Sequence, residues 1–544
     1  MPTLNWIGKE AVVNHHLEVP FHLLKDMPDL ACGDPGSGNL IVEGDNLVAL
    51  KALLPYYKGK VKCVCIDPPY NTGNEGWAYN DNANSPAIRK WLGETVGKEG
   101  ETLDRHDRWL CMMYPRLALL REFLTDDGSI FICLDDNEIH ALRYVMEEVQ
   151  FQFIATAIWQ KNFAPKNSAK HFSEDHDYVA IFAKKAETWR PNLVARSDDA
   201  IARYKNPDND KRGPWTSGDL QARNYYGDGT YPITCPSGRV IEGPGKGMYW
   251  RFAEKNFLRL DQEGRIWWGA NGDNMPRLKR YLSDVKAGIV PQTLWFHGDV
   301  GHTQEAKKEL LSAVEFDTSD DVFITPKPTR LIERILQIST NPGDLILDSF
   351  AGSGTTGHAV LKMNAANPEL EPRKVILVEM EPKVVREITA ERFRRVAEGY
   401  TNTKGEEVGG LGGGFRYVTL GDALFDETGQ IRDTVRFAEL ARHVYFSETG
   451  EPLPKERVSA KTPLLGIHRG KAIYLLYNGI LSDRSIGGGN ALCRETLQVI
   501  EEINTGHEGV EQTVVYGTSQ RLSPARLKRG RIDFKQIPYH LRIS

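Results

Sequence analysis

Nowhere in this 544-residue chain are two cysteines separated by two residues. The seven cysteines (Cys32, Cys63, Cys65, Cys111, Cys133, Cys235 and Cys493) contain no C-x-x-C pair, which argues against a zinc ribbon or a disulfide framework. Reduced thiols in a cytoplasm are the expectation, with no structural metal. Long apolar runs are missing too: none approaches the about 18 residues of a membrane span. The opening MPTLNWIGKEAVVNHH lacks a basic stretch followed by an apolar core, so a cytoplasmic protein without a membrane segment is expected. Charge of one sign is not in excess. Against 68 basic residues stand 73 acidic ones, a net charge of −5, so any nucleic-acid surface must be local. A Walker A loop is absent, and ATP-driven movement would need another chain.

What is present begins with Val61 to Gly73, VKCVCIDPPYNTG. The short, mostly apolar, β-branched run reads as a buried strand of a parallel sheet. Asp67-Pro68-Pro69-Tyr70 stops it, because each proline fixes φ and removes a donor and the residue before it is pushed out of the helical region. Polar groups are thereby placed at the carboxyl edge of a sheet, where open α/β folds hold ligands. The quartet suits transfer to an exocyclic amine, whose lone pair is delocalised into its ring. Asp67 and the Pro68 carbonyl can accept the two N–H hydrogens and return electron density to nitrogen, while Tyr70 stacks on the base. A strand ended by a proline turn with a half-buried tyrosine is the plain alternative.

Upstream, LIVEGDNLVALKALLPYYKGK reads as a strand, a Gly-Asp-Asn turn and a helix, with Asp45 either a helix cap or a ligand contact. Residues 73–100, polar and rich in Gly, Asn and Trp, have the character of a segment that covers a site. WLCMMYPRLALLREFLTDDGSIFICLDDNEIHALRYVMEEV then gives helix, turn, strand and helix, the rhythm of a doubly wound, mostly parallel sheet. From about Lys184 to Thr325 short polar runs with Pro, Gly and aromatics suggest a separate insertion. In it Arg203, Lys205, Lys211, Arg212, Arg223, Arg277, Lys279, Arg280 and Lys286 interleave with Tyr225, Tyr226, Trp250, Trp267 and Trp268, a mixture suited to phosphate and base contact or to a solvated face.

A second anchor is LILDSFAGSGTTGHAVLKM, residues 345–363, read as a strand, a glycine-rich turn to Gly357 and a helix from His358. Gly352, Gly354 and Gly357 form G-x-G-x-x-G, and the later strand KVILVEM ends in Glu379, the pattern in which bare backbone approaches a cofactor and an acid takes ribose hydroxyls. Alone it would equally support NAD and a dehydrogenase. Together with DPPY it describes a sheet holding S-adenosylmethionine beside an amine-activating loop.

On these motifs the chain resembles the β class of DNA amino-methyltransferases, in which DPPY precedes the cofactor motif and a target-recognition region lies between. DPPYNTGN, YPRLALL, DGSIFICLDDNE, HDYVAIFAK, GRIWWG, PRLKRYL and ITPKPTRLIERIL look like the modification subunit of type III restriction-modification systems, over most of residues 40–420. Trp77 stands where that family usually shows Phe. The resemblance implies N6 of a flipped-out adenine as acceptor, with cytosine N4 the alternative, and double-stranded DNA as substrate. It implies Asp67, Pro68, Pro69 and Tyr70 as the catalytic group. Phe350, Gly352, Gly354 and Thr355 would lie along the cofactor, with Asp348 at its amino-acid end, Glu379 on the ribose, Asp45 near the adenine and Lys327 at the carboxylate. A homodimer and a restriction subunit with nuclease and helicase activity are implied partners; a non-catalytic DNA-binding module is the remaining alternative.

Domains are therefore expected at 1–184 and 323–420 (the two halves of the methyltransferase), 185–322 (target recognition) and 421–544. The glycine-rich stretch Gly405 to Gly414 reads as a linker, after which KAIYLLYNG and TVVYGTS suggest a small α/β domain. Its tail, Arg521 to Arg542, carries seven basic residues against Asp533 and could touch DNA or a partner.

Overall fold

The computed structural model describes residues 4–72, 105–285, 288–316, 325–426, 430–451, 453–454, 462–477 and 490–537. The expected covering segment 73–100, with Trp77, lies outside the described residues, as do Lys286 and Arg542.

Strand β1 (Leu40–Glu43) leads into α1 (Asn46–Tyr57). The helix starts where it does because the Asp45 carboxylate accepts from the amides of Leu47 and Val48, two donors that no helical carbonyl can reach. Its leucines at 47, 50, 53 and 54 are all buried. Strand β2 (Val61–Ile66) carries DPPY at its end; α2 (Arg105–Phe123), β3 (Leu124–Leu134), α3 (Ile139–Glu148), β4 (Gln152–Gln160) and β5 (His176–Ala183) follow. After the insertion come α4 (Thr329–Ser339), β6 (Leu345–Asp348), α5 (Thr355–Ala365), β7 (Lys374–Glu379), α6 (Ala390–Glu398) and β8 (Gly414–Ala423).

These strands belong to one mixed sheet, ordered β8-β1-β7-β6-β2-β3-β5-β4. From β8 to β3 every neighbour is parallel, and β5 runs antiparallel between β3 and β4. His22–Asp26 pairs antiparallel with β8 at one edge, and Leu294–Trp295 runs parallel to β4 at the other. Helices α1 and α2 pack together, as do α4, α5 and α6, giving two helical layers on the sheet. This is the doubly wound α/β architecture, and β6, from the far half of the chain, sits between β7 and β2.

Two boundaries differ from the sequence expectation. The inserted compact unit is Pro191–Pro291, shorter than 185–322, because Leu294–Trp295 and the helix Thr303–Ala313 rejoin the main body. Gly405 to Gly414 is no domain boundary: Gly399–Thr401 and Glu407–Gly409 pair as a hairpin, and Gly414 opens β8, which pairs with β1. Beyond β8, Leu464–His468, Lys471–Leu475, Gln512–Gly517 and Ile532–Gln536 form their own four-stranded sheet.

Taken by itself, the inserted unit holds a three-stranded antiparallel sheet of Trp215–Asp219, Arg277–Tyr281 and Ile266–Trp267 around a core that includes Trp250 and Trp268. Part of its basic and aromatic content is thus structural. Buried Lys279 pairs with Asp208 and Asp210, and Arg212 holds Asp210 at 2.8 Å. Arg212 is the chief reason that the Asp210 carboxyl sits far below the usual carboxylate range. Tyr225, 81% exposed, lines a cavity of about 400 Å³ together with Tyr226, Arg251 and Arg280.

Candidate functional site

Parallel strands end on one edge of their sheet, so β1, β2, β6 and β7 deliver Glu43, Asp67, Asp348 and Glu379 to a common rim. The stiffness of Pro68-Pro69 turns Asp67 into the site. One Asp67 oxygen, Oδ2, lies 2.5 Å from Lys327 Nζ; the other, Oδ1, is buried and has no hydrogen-bond partner among the described residues. Lys327 is 8% exposed and also lies 5.0 Å from the centre of the Tyr70 ring. Burial works against its charge, but Asp67 and Asp177 outweigh that and push the ammonium above its ordinary range. Sequence reasoning directed Lys327 to a cofactor carboxylate; in the fold it bridges Asp67 and Tyr70.

Tyr70 is half-buried, with its hydroxyl 3.5 Å from Asp177 Oδ2, and Asp177 in turn pairs with Lys161 at 2.5 Å. Burial, with the Asp67 and Asp177 charges, raises the phenol well above its usual range, so it stays a neutral ring. The Pro69 carbonyl accepts from Trp109 Nε1 at 2.7 Å, so helix α2 grips the quartet from behind.

Asp348 is 5% exposed, and its oxygens accept from the Phe350 amide at 3.0 Å and the Thr356 hydroxyl at 2.6 Å. Burial, with the charges of Asp67 and Glu379 adding to it, lifts its carboxyl to about 7. Glu379 accepts from the Gly352 amide at 2.9 Å and the Glu381 amide at 3.0 Å; burial still raises it. Phe350 is half-buried at the rim.

The glycines serve distinct ends. Gly352 has φ 48 and gives its amide to Glu379, while its carbonyl accepts from Thr389 Oγ1 at 2.6 Å. Gly354, at φ 73, caps α5, which starts at Thr355 and not at His358; a Cβ on it would meet the Thr389 carbonyl at 3.1 Å. Gly357 falls inside α5, where a Cβ would strike the Phe393 ring at 2.6 Å, so close packing and not a turn requires glycine there. The Thr355 hydroxyl turns inward and accepts from buried Arg392 at 2.8 Å.

Asp45, besides capping α1, pairs with Arg116 Nη2 at 3.0 Å. Its neighbour Asn46 donates to the Ser349 carbonyl at 3.1 Å and so ties α1 to the glycine-rich turn. Trp109, Arg116, Asp177, Asn71 and Glu138 escaped the sequence reading. Four of them stand inside motifs that carry the resemblance, Asn71 in DPPYNTGN, Arg116 in YPRLALL, Glu138 in DGSIFICLDDNE and Asp177 in HDYVAIFAK; Trp109 lies outside all of these.

The set of acids at one rim fits S-adenosylmethionine: a buried acid suited to an ammonium (Asp348), an acid at the next strand end suited to a ribose (Glu379), and a buried carboxylate oxygen (Asp67 Oδ1) without a hydrogen-bond partner among the described residues. Among the described residues no group of His, Cys, Asp and Glu is placed to hold a metal ion, and no helix is long and apolar enough to cross a membrane.

Three relatives frame the site. The StyLTI Mod subunit, a type III restriction-modification enzyme of Salmonella typhimurium LT2, is 33% identical over 341 residues, 60% of this chain and 50% of that protein. The EcoP15I Mod subunit of Escherichia coli is 28% identical over 418 residues, 67% of this chain and 62% of that one. The type II methyltransferase M.KpnI of Klebsiella pneumoniae is 27% identical over 421 residues, 73% of this chain and 93% of that one. The chain thus spans half to three fifths of the length of these Mod subunits. A family model for N6 and N4 enzymes, described as DNA methylase, matches residues 61–391, from the first residue of β2 into α6, which takes in both motif-bearing strand ends and sets the dehydrogenase reading aside. With that match over more than half of its length, the chain belongs to the N6/N4 DNA methylase family.

Proposed function

We propose that this chain methylates N6 of a flipped-out adenine in double-stranded DNA from S-adenosylmethionine, in the cytoplasm, as the modification component of a restriction-modification or related phage-defence system. The observation that carries the reading is the pairing of DPPY with the glycine-rich turn on adjacent strands, with Asp67 Oδ1 buried and unpartnered between them. Similarity to Mod subunits supports adenine as the acceptor and a restriction subunit as partner.

When bound, S-adenosylmethionine supplies an electrophilic methyl on a positively charged sulfur. Asp348 would hold its ammonium and Glu379 its ribose. Asp67 Oδ1 and the Pro68 carbonyl take the two amine hydrogens and draw the nitrogen lone pair out of the ring. Lys327, fixed on Oδ2, keeps the carboxylate turned so that Oδ1 faces the acceptor. Rate comes from this geometry and from dipoles set in advance. After transfer the nitrogen sheds a proton along its hydrogen bond to Asp67 and on to water. Extruding the base costs a few kcal/mol, partly offset by stacking on the neutral Tyr70 ring.

The test is to express the chain in cells and read modified bases directly. Methylated adenine in one sequence context is expected from the wild type and none from Asp67→Ala, whose purified form still binds S-adenosylmethionine. Methylated cytosine would move the acceptor to N4, and methylation by Asp67→Ala would remove the proposed role of that carboxylate.

A further inference from the structure

Asn71, the residue directly after the quartet, is 1% exposed and held at φ 59, in the left-handed region. Its side-chain amide donates to the Arg105 carbonyl at 2.9 Å and to Glu138 Oε1 at 2.5 Å. Glu138 is fully buried, and the same oxygen lies 2.7 Å from His106 Nδ1. Its backbone is equally fixed: it stands at the carboxyl end of β3, next to β2, and its carbonyl accepts from the Leu142 amide to start α3. Arg105, His106 and Trp109 all lie on the first turns of α2, and Trp109 grips Pro69. The exit of the quartet is therefore bolted at two points, Pro69 through Trp109 and Asn71 through Glu138.

Stability does not account for this carboxylate. Its Oε2 is buried with no hydrogen-bond partner among the described residues, and burial raises its pKa despite Asn71, His106 and Arg105 nearby. A buried charged oxygen without a partner costs free energy that an apolar side chain of similar size would avoid. Such a cost is tolerated where a geometry depends on it.

We infer that Glu138 is a positioning residue for methyl transfer: through Asn71 it fixes the direction in which the Pro68 carbonyl and the Tyr70 ring face the acceptor base. The inference rests on the proposed reaction, but not all of its test does. Glu138→Leu should lower kcat about 10- to 100-fold, the scale expected when reacting groups are misplaced by an ångström. The melting temperature should fall only modestly, since the Asn71 amide keeps the Arg105 carbonyl as an acceptor, and the Kd for S-adenosylmethionine should stay within about twofold, a margin well under the tenfold of 1.4 kcal/mol. Glu138→Gln keeps an acceptor at Oε1 and should restore most of the rate. Asn71→Gly satisfies the left-handed backbone without the side chain and should repeat the loss; a glycine variant with normal kcat would mean that Asn71 serves backbone conformation alone. In NMR spectra the indole N–H of Trp109, bonded to Pro69, should shift in Glu138→Leu, a readout that needs no turnover. An unmoved indole resonance, a wild-type kcat in Glu138→Leu, or a rate loss that only follows the melting temperature overturns the inference. A wild type with no methyl transfer would instead sink the proposed reaction, and an indole shifted in Glu138→Leu would then show only that Glu138 holds the exit of the quartet.

Discussion

Asp348, proposed to meet the cofactor's ammonium, shows at the scale of one residue how burial prepares a carboxyl for a cation. The fold favours the neutral acid, with a pKa of about 7 against the ordinary value of 3.8. Its contribution to stability is therefore complete below about pH 4 and is lost as pH rises through about 7. That swing amounts to about 4 kcal/mol at 1.36 kcal/mol per pKa unit. A cationic ammonium beside it reverses the preference. S-adenosylmethionine binding should release protons near pH 6, and Kd should rise by up to about tenfold per unit as pH falls below 7, the limit for one linked proton. Calorimetric titrations in buffers of different ionisation enthalpy read the proton count directly. Asp348→Asn should flatten the profile, and a wild-type Kd constant from pH 5 to 8 would exclude Asp348 from the ammonium site.

At the scale of elements, the glycine-rich turn works as a helix cap as much as a cradle. Gly354 sits at φ 73 with the Thr389 backbone 3.1 Å from where a Cβ would stand, so its side of the turn packs against protein. Gly354→Ala should cost about 1–2 kcal/mol through the left-handed backbone. Thermal melts would show this, and cofactor affinity should recover once the measurement is made well below the melting point. A stable variant with lost affinity would instead place Gly354 against the cofactor. The mostly parallel, doubly wound sheet and its two motif-bearing strand ends were legible in the sequence, because period and turn chemistry are local; β4, β5, β8 and the order of the strands were not. The bond from Lys327 to Asp67, 260 residues apart, was not, since a lone Lys between prolines carries no mark of its partner. Nor was the left-handed Asn71 and its hold on Glu138, or the start of α5 at Thr355, since a run of three glycines does not mark which one is the cap.

For the whole molecule, sequence choice is expected in the inserted unit Pro191–Pro291, which leaves and re-enters the α/β body and keeps Tyr225 and Arg280 exposed on its own cavity. Exchanging 191–291 for the matching segment of a relative with a different target should move methylation to the relative's site. A folded, active hybrid that keeps the parental site would shift attention to the basic C-terminal segment. There the sequence impression needs discounting: Lys535 is committed to buried Glu448, and Arg526 pairs with Glu501. Composition showed a dense basic and aromatic stretch in the insertion, but only the fold separates the core members, Trp250, Trp268 and Lys279, from the outward ones.

The sheet order also bears on how the protein is made. Strand β2 has β6 as one of its two neighbours, and β6 is encoded roughly 280 residues later. At roughly 5–20 residues per second, a ribosome takes about 15–55 seconds to supply it. During that interval one edge of an apolar strand stands open on a half-built sheet, while the inserted unit, whose core is its own, can close as soon as it emerges. Completion of the fold is thus out of step with its sequence order: the part proposed to read DNA can be finished while the rim proposed to hold the cofactor still lacks β6 and β7.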